Sequence, residues 1–122
     1  MKAVRSYQDF EVWKKSMDWV EQIYRVSSSF PPEERYGLTS QMRRAAVSIP
    51  SNIAEGAARK GTGEILQFLS VARGALAEAE TQLILAGRLG LLPEPALQTL
   101  REQAEQISRM LAGLRRSLQS KR

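Results

Sequence analysis

The segment that decides the fold runs from Leu38 to Gly56 and reads LTSQMRRAAVSIPSNIAEG. Its apolar residues recur at steps of three and four, a spacing that places side chains on one face of an α-helix. These residues are Leu38, Met42, Ala45 or Ala46, Ile49 and Ile53. The segment is therefore predicted to form a helix that packs into a core and begins at a cap formed by Thr39 or Ser40.

The same segment carries a second line of residues at helical spacing, and all of them are polar. This line, which we call the polar stripe, consists of Gln41, Arg44, Ser48, Asn52 and Glu55. A helix that only packs against a core needs one apolar face and no such line. Two interpretations stay open: the stripe is a polar seam buried inside the chain, or it meets another subunit.

Pro50 lies in the interior of this predicted helix. Proline removes one backbone donor and clashes with the carbonyl group four residues earlier, at Ala46, which costs roughly 3 kcal/mol in a straight helix. The apolar spacing keeps its phase across the proline. We therefore predict one continuous helix that is kinked at Pro50.

Three further segments show helical periodicity. Helix one is predicted from about Phe10 to Ser27, helix three from about Gly63 to Leu89, and helix four opens at Pro93. The apolar residues of helix four follow steps of three and four, which is typical of bundle packing. They are Leu97, Leu100, Ala104, Ile107, Leu111, Leu114 and Leu118.

Four amphipathic helices with short connections predict an all-α fold, an antiparallel up-down-up-down four-helix bundle. The 122 residues are predicted to form a single domain. Within it, residues 1–8 are expected to be an irregular lead-in and residues 119–122 a basic tail.

Helix one has two apolar stripes, with Trp13 on one and Trp19 on the other. Six residues correspond to about 600° of helical rotation, so the two side chains point roughly 120° apart. A helix in a monomeric bundle needs only one stripe. The pattern therefore predicts contacts with two neighbours, and two interpretations of Trp19 stay open: a contact with another subunit, or a place in a buried seam inside the chain.

The composition excludes several kinds of chemistry. The chain has no cysteine and no histidine, which removes thiol nucleophiles, the commonest general base and the commonest metal ligands. Glu78 and Glu80 are two residues apart and face different directions on a helix. We predict no catalytic residue, metal or cofactor. No apolar run is long enough to cross a membrane, and the lack of cysteine fits the reducing cytoplasm, where we expect the protein.

The net charge of +5 favours an anionic partner, with nucleic acid first. From Arg109 to Arg122 there are five basic residues and no acidic one. The candidate nucleic-acid-binding residues are Arg43, Arg59, Lys60, Arg73, Arg109, Arg115 and Arg116. The alternative is a solvated basic surface that contributes only to solubility and ion pairs.

Several stretches carry a resemblance to a known family. They are YQDFEVWKK at Tyr7–Lys15, FPPEERYGLTSQMRRAAVSIPSNIAEG at Phe30–Gly56 and AEAETQL at Ala77–Leu83. In these stretches the chain resembles the four-helix bundle family of 23S rRNA intervening-sequence proteins. The resemblance implies a bacterial, cytoplasmic homopentamer with a basic surface and no catalytic residues.

The same family includes the accessory protein of diversity-generating retroelements, and that similarity implies contact with a reverse transcriptase and with nucleic acid. We therefore predict a non-enzymatic homo-oligomer, a pentamer by resemblance. It binds RNA or DNA through its basic surface, or assists an enzyme such as a reverse transcriptase. The alternative hypothesis is a protein–protein interaction scaffold that binds no nucleic acid.

Overall fold

The computed structural model describes residues 7–120, and within this range it contains four α-helices and no strand. The helices are α1 (Glu11–Ser27), α2 (Leu38–Ala57), α3 (Thr62–Arg88) and α4 (Glu94–Gln119), and short 3-10 turns occupy Tyr7–Asp9 and Pro32–Glu34. The prediction of an all-α four-helix bundle is confirmed. Most of the predicted lead-in and the last two residues of the predicted tail lie outside the described residues.

Each helix packs against two others, because α1 and α3 both contact α2 and α4. The contacts between α3 and α4 run in opposite chain directions. Gly87 lies against Leu97, and Arg101, one turn further along α4, reaches Glu80, two turns earlier on α3. This is the arrangement that an up-down-up-down bundle requires.

Helix α2 is continuous through Pro50, which is buried among the core residues. The kink at Pro50 stays a prediction. The predicted cap is wrong, since the helix begins at Leu38 rather than after Thr39 or Ser40. The backbone N–H of Leu38 donates to Oε1 of Glu34 at 3.2 Å, so the side chain that caps α2 comes from the preceding 3-10 turn.

The packing of α2 against α3 depends on small residues. Both helices carry buried alanines, and Gly56 is buried where the two helices meet near their connecting segment. A Cβ atom at Gly56 would lie 2.9 Å from Cβ of Phe68, closer than side chains normally approach. The alanines concerned are Ala45, Ala46, Ala72, Ala75 and Ala79.

The two apolar stripes of α1 face two neighbours within the same chain. Trp13 lies in a groove beside Val47 and Pro50 of α2. Trp19 is only 1% exposed, and its indole N–H donates to the carbonyl oxygen of Leu100 in α4 at 3.0 Å. The second neighbour that the pattern predicted is therefore α4 of the same chain, and Trp19 lies inside the chain and not on a surface open to another subunit.

Helix α4 presents the predicted seam to the core. Five of its seven positions are buried, and Leu114 and Leu118 are half-buried against the same core. The α3–α4 connection turns at Gly90, whose φ of 77° favours glycine. The N–H of Leu91 then donates to the carbonyl oxygen of Ala86 at 2.9 Å, which closes the end of α3.

Candidate nucleic-acid interface

The bundle topology gathers basic residues that are distant in sequence at one end of the molecule. Arg73 of α3 shares a groove with Glu105 and Ser108 of α4. Since the two helices are antiparallel, the first turn of α3 lies beside the last turns of α4. The four basic residues of this region define what we call the basic end: Arg59, Lys60, Arg115 and Arg116.

Three of these four cations have no acidic partner within the described part of the chain. Lys60 and Arg116 are exposed and Arg115 is half-buried. Arg59 differs, since its Nη2 donates to Oε2 of Glu55 at 3.0 Å and its guanidinium lies 4.8 Å above the ring of Phe68. The N-terminus of α3, which begins at Thr62, adds the positive end of a helix dipole to this region.

The structure gives Arg43 a different role from the predicted one. Its Nε donates to Oγ of Ser27 at 2.8 Å and its Nη2 donates to the carbonyl oxygen of Tyr24 at 3.2 Å. The guanidinium also lies 4.5 Å above the ring of Tyr24. Arg43 thus satisfies carbonyl and hydroxyl groups at the end of α1 and ties that end to α2, so we remove it from the nucleic-acid-binding set.

Arg73 lines a groove of mixed charge between α3 and α4, and Arg109 lies beside it on α4, facing a pocket shared with α1. The groove encloses about 510 Å³. Within it Nε of Arg101 lies 3.4 Å from Oε2 of Glu80, and at its edge Nη1 of Arg109 lies 2.9 Å from Oε1 of Glu105. The glutamates offset the arginines, so an approaching phosphate meets a much weaker positive potential here than at the basic end.

The polar stripe of α2 lies on the surface of the chain. Gln41, Arg44 and Glu55 are exposed, while Ser48 and Asn52 are half-buried. Nδ2 of Asn52 donates to the carbonyl oxygen of Ser48 at 2.7 Å and to its Oγ at 2.9 Å. Within residues 7–120 no other helix covers Gln41, Arg44 or Glu55, so the stripe is not a seam buried inside the chain.

A cavity of about 460 Å³ opens along this stripe, between α2 and α3. Gln41, Arg44 and Ser48 line one side and Glu78 of α3 lines the other. Arg44 and Glu78 form no ion pair with each other or with the rest of the described chain. The face thus presents one cation and one anion that are both available to a further molecule.

Three residues stand out in the structure although no sequence pattern identifies them. Tyr36 is 89% exposed, and Leu85 of α3 is 45% exposed. Gln82 is only 8% exposed, and its Oε1 has no hydrogen-bond partner within the described residues. Helical periodicity places Gln82 at the edge of the core face, but nothing in the sequence shows that its amide oxygen lacks a donor.

Within residues 7–120, no three acidic side chains come close enough to hold a metal ion. None of the helices in this range is sufficiently long and apolar to cross a membrane.

Comparison with known proteins identifies the fold and then the family. A crystal structure of a protein of unknown function from Bacteroides thetaiotaomicron, from the S23 ribosomal protein family, matches with a TM-score of 0.77. It is 20% identical, and the match covers 85% of this chain and 97% of that one, which shows a shared fold. No curated protein matches the sequence. The family model for 23S rRNA-intervening sequence proteins matches residues 8–113, and the chain therefore belongs to this family.

Proposed function

We propose that this protein is a non-enzymatic, cytoplasmic homo-oligomer that binds RNA or DNA through phosphate contacts made by its basic end. The observation that supports the proposal is the gathering of Lys60, Arg115 and Arg116 at one end without acidic partners. Arginine donates to phosphate oxygens in a planar fork, and lysine contributes a compact positive charge. The oligomer repeats this end once per subunit.

The energy of such contacts comes largely from the release of counterions, so the affinity depends strongly on salt. Three phosphate contacts per subunit predict that the affinity falls roughly 40-fold between 50 and 200 mM monovalent salt. An oligomer that applies several basic ends to one nucleic acid will show a steeper dependence. The salt dependence therefore reports how many cations take part.

The proposal is tested by fluorescence anisotropy with labelled duplex DNA and structured RNA at low salt. The double variant Arg115→Glu with Arg116→Glu is expected to bind at least tenfold more weakly, because it places two negative charges at the basic end. The control is Arg35→Glu with Arg88→Glu, which changes the net charge equally at the opposite end. Equal losses in the two variants, or no binding of the unaltered protein, contradict the proposal.

The face between α2 and α3 supports the oligomeric part of the proposal. Besides Arg44 and Glu78, this side of α3 exposes Val71 and Leu85 and carries the unpartnered Oε1 of Gln82. Exposed apolar groups beside an unsatisfied buried acceptor are typical of a surface that another protein covers. We assign this face to a contact between copies of the chain. The polar stripe of α2 would then be part of the interface between subunits.

Light scattering tests this assignment. The unaltered protein is expected to have the mass of several chains of 13.7 kDa, and of five chains if the resemblance to the family extends to its assembly. Leu85→Asp places a charge in the contact and is expected to lower that mass while the helical circular dichroism stays unchanged. Val47→Asp, on the α1–α2 side, is the control. An unaltered protein with the mass of one chain contradicts the assignment.

The second candidate function is a protein-interaction scaffold, and the exposed α2–α3 face is the observation that favours it. By resemblance to the retroelement accessory proteins, the protein partner would be a reverse transcriptase. This function would be supported if a reverse transcriptase co-purifies with a variant of this protein in which the cations of the basic end have been substituted. A chain that binds nucleic acid but no such enzyme supports the first candidate instead.

A further inference from the structure

We infer that the basic end recognises the phosphate backbone of double-stranded nucleic acid and not unpaired strands. This inference rests on the proposed function and adds the class of nucleic acid. Proteins that bind single strands combine cations with exposed aromatic rings on which successive bases stack. In a duplex the base faces are already stacked on one another, so its phosphates carry most of the affinity. The aromatic side chains near the cations therefore decide between the two classes.

None of the aromatic residues near the basic end is exposed. Four rings lie near the starts of α1 and α3, and all four are half-buried: Tyr7, Phe10, Trp13 and Phe68. The edge of one ring meets the face of the other in the pair Tyr7 and Trp13, whose centroids are 5.2 Å apart. The guanidinium of Arg59 covers Phe68, and Phe10 packs against the core. Among the described residues, every ring at this end is therefore at least partly covered by its neighbours.

The exposed rings lie at the opposite end of the bundle, which we call the far end. Tyr36 is there, in the segment that leads into α2, and Arg43 already occupies one face of Tyr24. Helix α2 has 20 residues and is therefore roughly 30 Å long, so Tyr36 is about that distance from the basic end. A base stacked on Tyr36 cannot share its own phosphate with Lys60 or Arg116.

The charge pattern leads to the same conclusion. The unpaired cations come from two separate elements, the α2–α3 connection and the last turns of α4. A duplex presents one phosphate per roughly 1.7 Å of its axis, twice the density of one strand. With no stacking surface beside the cations, charge density decides the affinity. The binding is therefore expected to be independent of base sequence and stronger for duplexes.

The experiment compares a fluorescein-labelled strand of about 20 nucleotides with the same strand annealed to its complement, as DNA and as RNA. The expected result is an affinity about tenfold higher for the duplexes at 50 mM salt, with no quenching of tryptophan fluorescence by the single strand. The double variant Arg115→Glu with Arg116→Glu should remove duplex binding, and Tyr36→Ala should leave it unchanged.

The outcomes separate this inference from the proposed function. Single strands that bind as tightly as duplexes, or a loss of strand binding in Tyr36→Ala, overturn the duplex inference while nucleic-acid binding stands. Failure of every probe to bind refutes the proposed function and the inference together. A preference for duplexes that also appears in the double variant contradicts the basic end as the site.

Discussion

The two ends of the bundle carry similar numbers of arginines and use them in different ways. At the far end, Arg43 is tied to the last turn of α1 and Arg25 is paired with Glu21. At the basic end, Arg59 is paired with Glu55, but Lys60, Arg115 and Arg116 have no acidic partner within the described residues. The comparison shows that net charge is a weak guide to an anion-binding surface, because the pairing and position of each cation decide what it can bind.

The difference between the two ends requires that α2 and α3 approach each other closely at the basic end, where Gly56 lies. Gly56→Ala would place a methyl group 2.9 Å from Cβ of Phe68, so we expect it to lower the free energy of unfolding by about 1–3 kcal/mol. Chemical denaturation measures the change. The control Gly113→Ala is expected to stabilise the protein by about 0.5–1 kcal/mol, since the nearest atom would be 3.9 Å away. Equal effects of the two substitutions would show that α2 and α3 are not in tight contact.

Substitutions of the neighbouring residues Arg43 and Arg44 test whether Arg43 stabilises the fold at the far end. Arg43→Lys keeps the charge but loses the fork that reaches Ser27 and Tyr24, so we expect a loss of about 1–2 kcal/mol in unfolding free energy. Arg44→Lys is expected to change this free energy by less than about 0.5 kcal/mol. The role proposed for Arg43 fails if both variants unfold at the same denaturant concentration.

The smallest expected effect concerns Arg59, whose charge Glu55 partly offsets. An exposed pair of this kind is worth about 0.2–1 kcal/mol. Glu55→Gln is therefore expected to raise duplex affinity by about twofold to fivefold, as measured by anisotropy. Glu21→Gln releases Arg25 in the same way near the far end and serves as the control. A gain of equal size in the control would mean that overall charge governs the binding.

The helices and most of their core faces could be predicted from the sequence. In α4 the steps of three and four identified the buried positions from Leu97 to Leu111. In a regular amphipathic helix, the residues at this spacing lie on the face that packs against the core. The cap of α2 could not be found in this way. The capping side chain belongs to Glu34, which precedes a turn whose geometry the sequence does not specify.

The candidate site was less predictable, because pairing between helices leaves no local pattern. Periodicity predicts that α1 has two neighbours but does not show that both belong to the same chain, so the partner of Trp19 could not be identified from the sequence. Arg43 and Arg44 are adjacent and chemically identical. Only the packing of α1 against α2 separates the one that is tied to a carbonyl from the one that is exposed.

The hydrogen bond from Trp19 to Leu100 also has a consequence for the timing of synthesis. The two residues are 81 positions apart, so at about 5–20 residues per second the ribosome makes Leu100 roughly 4–16 s after Trp19. During that interval the indole of α1 lacks its partner, and the α4-facing side of the helix stays uncovered. The nascent chain is therefore expected to complete the packing of its four helices only near the end of translation. Before then, a chaperone that binds apolar helices can bind the uncovered side of α1.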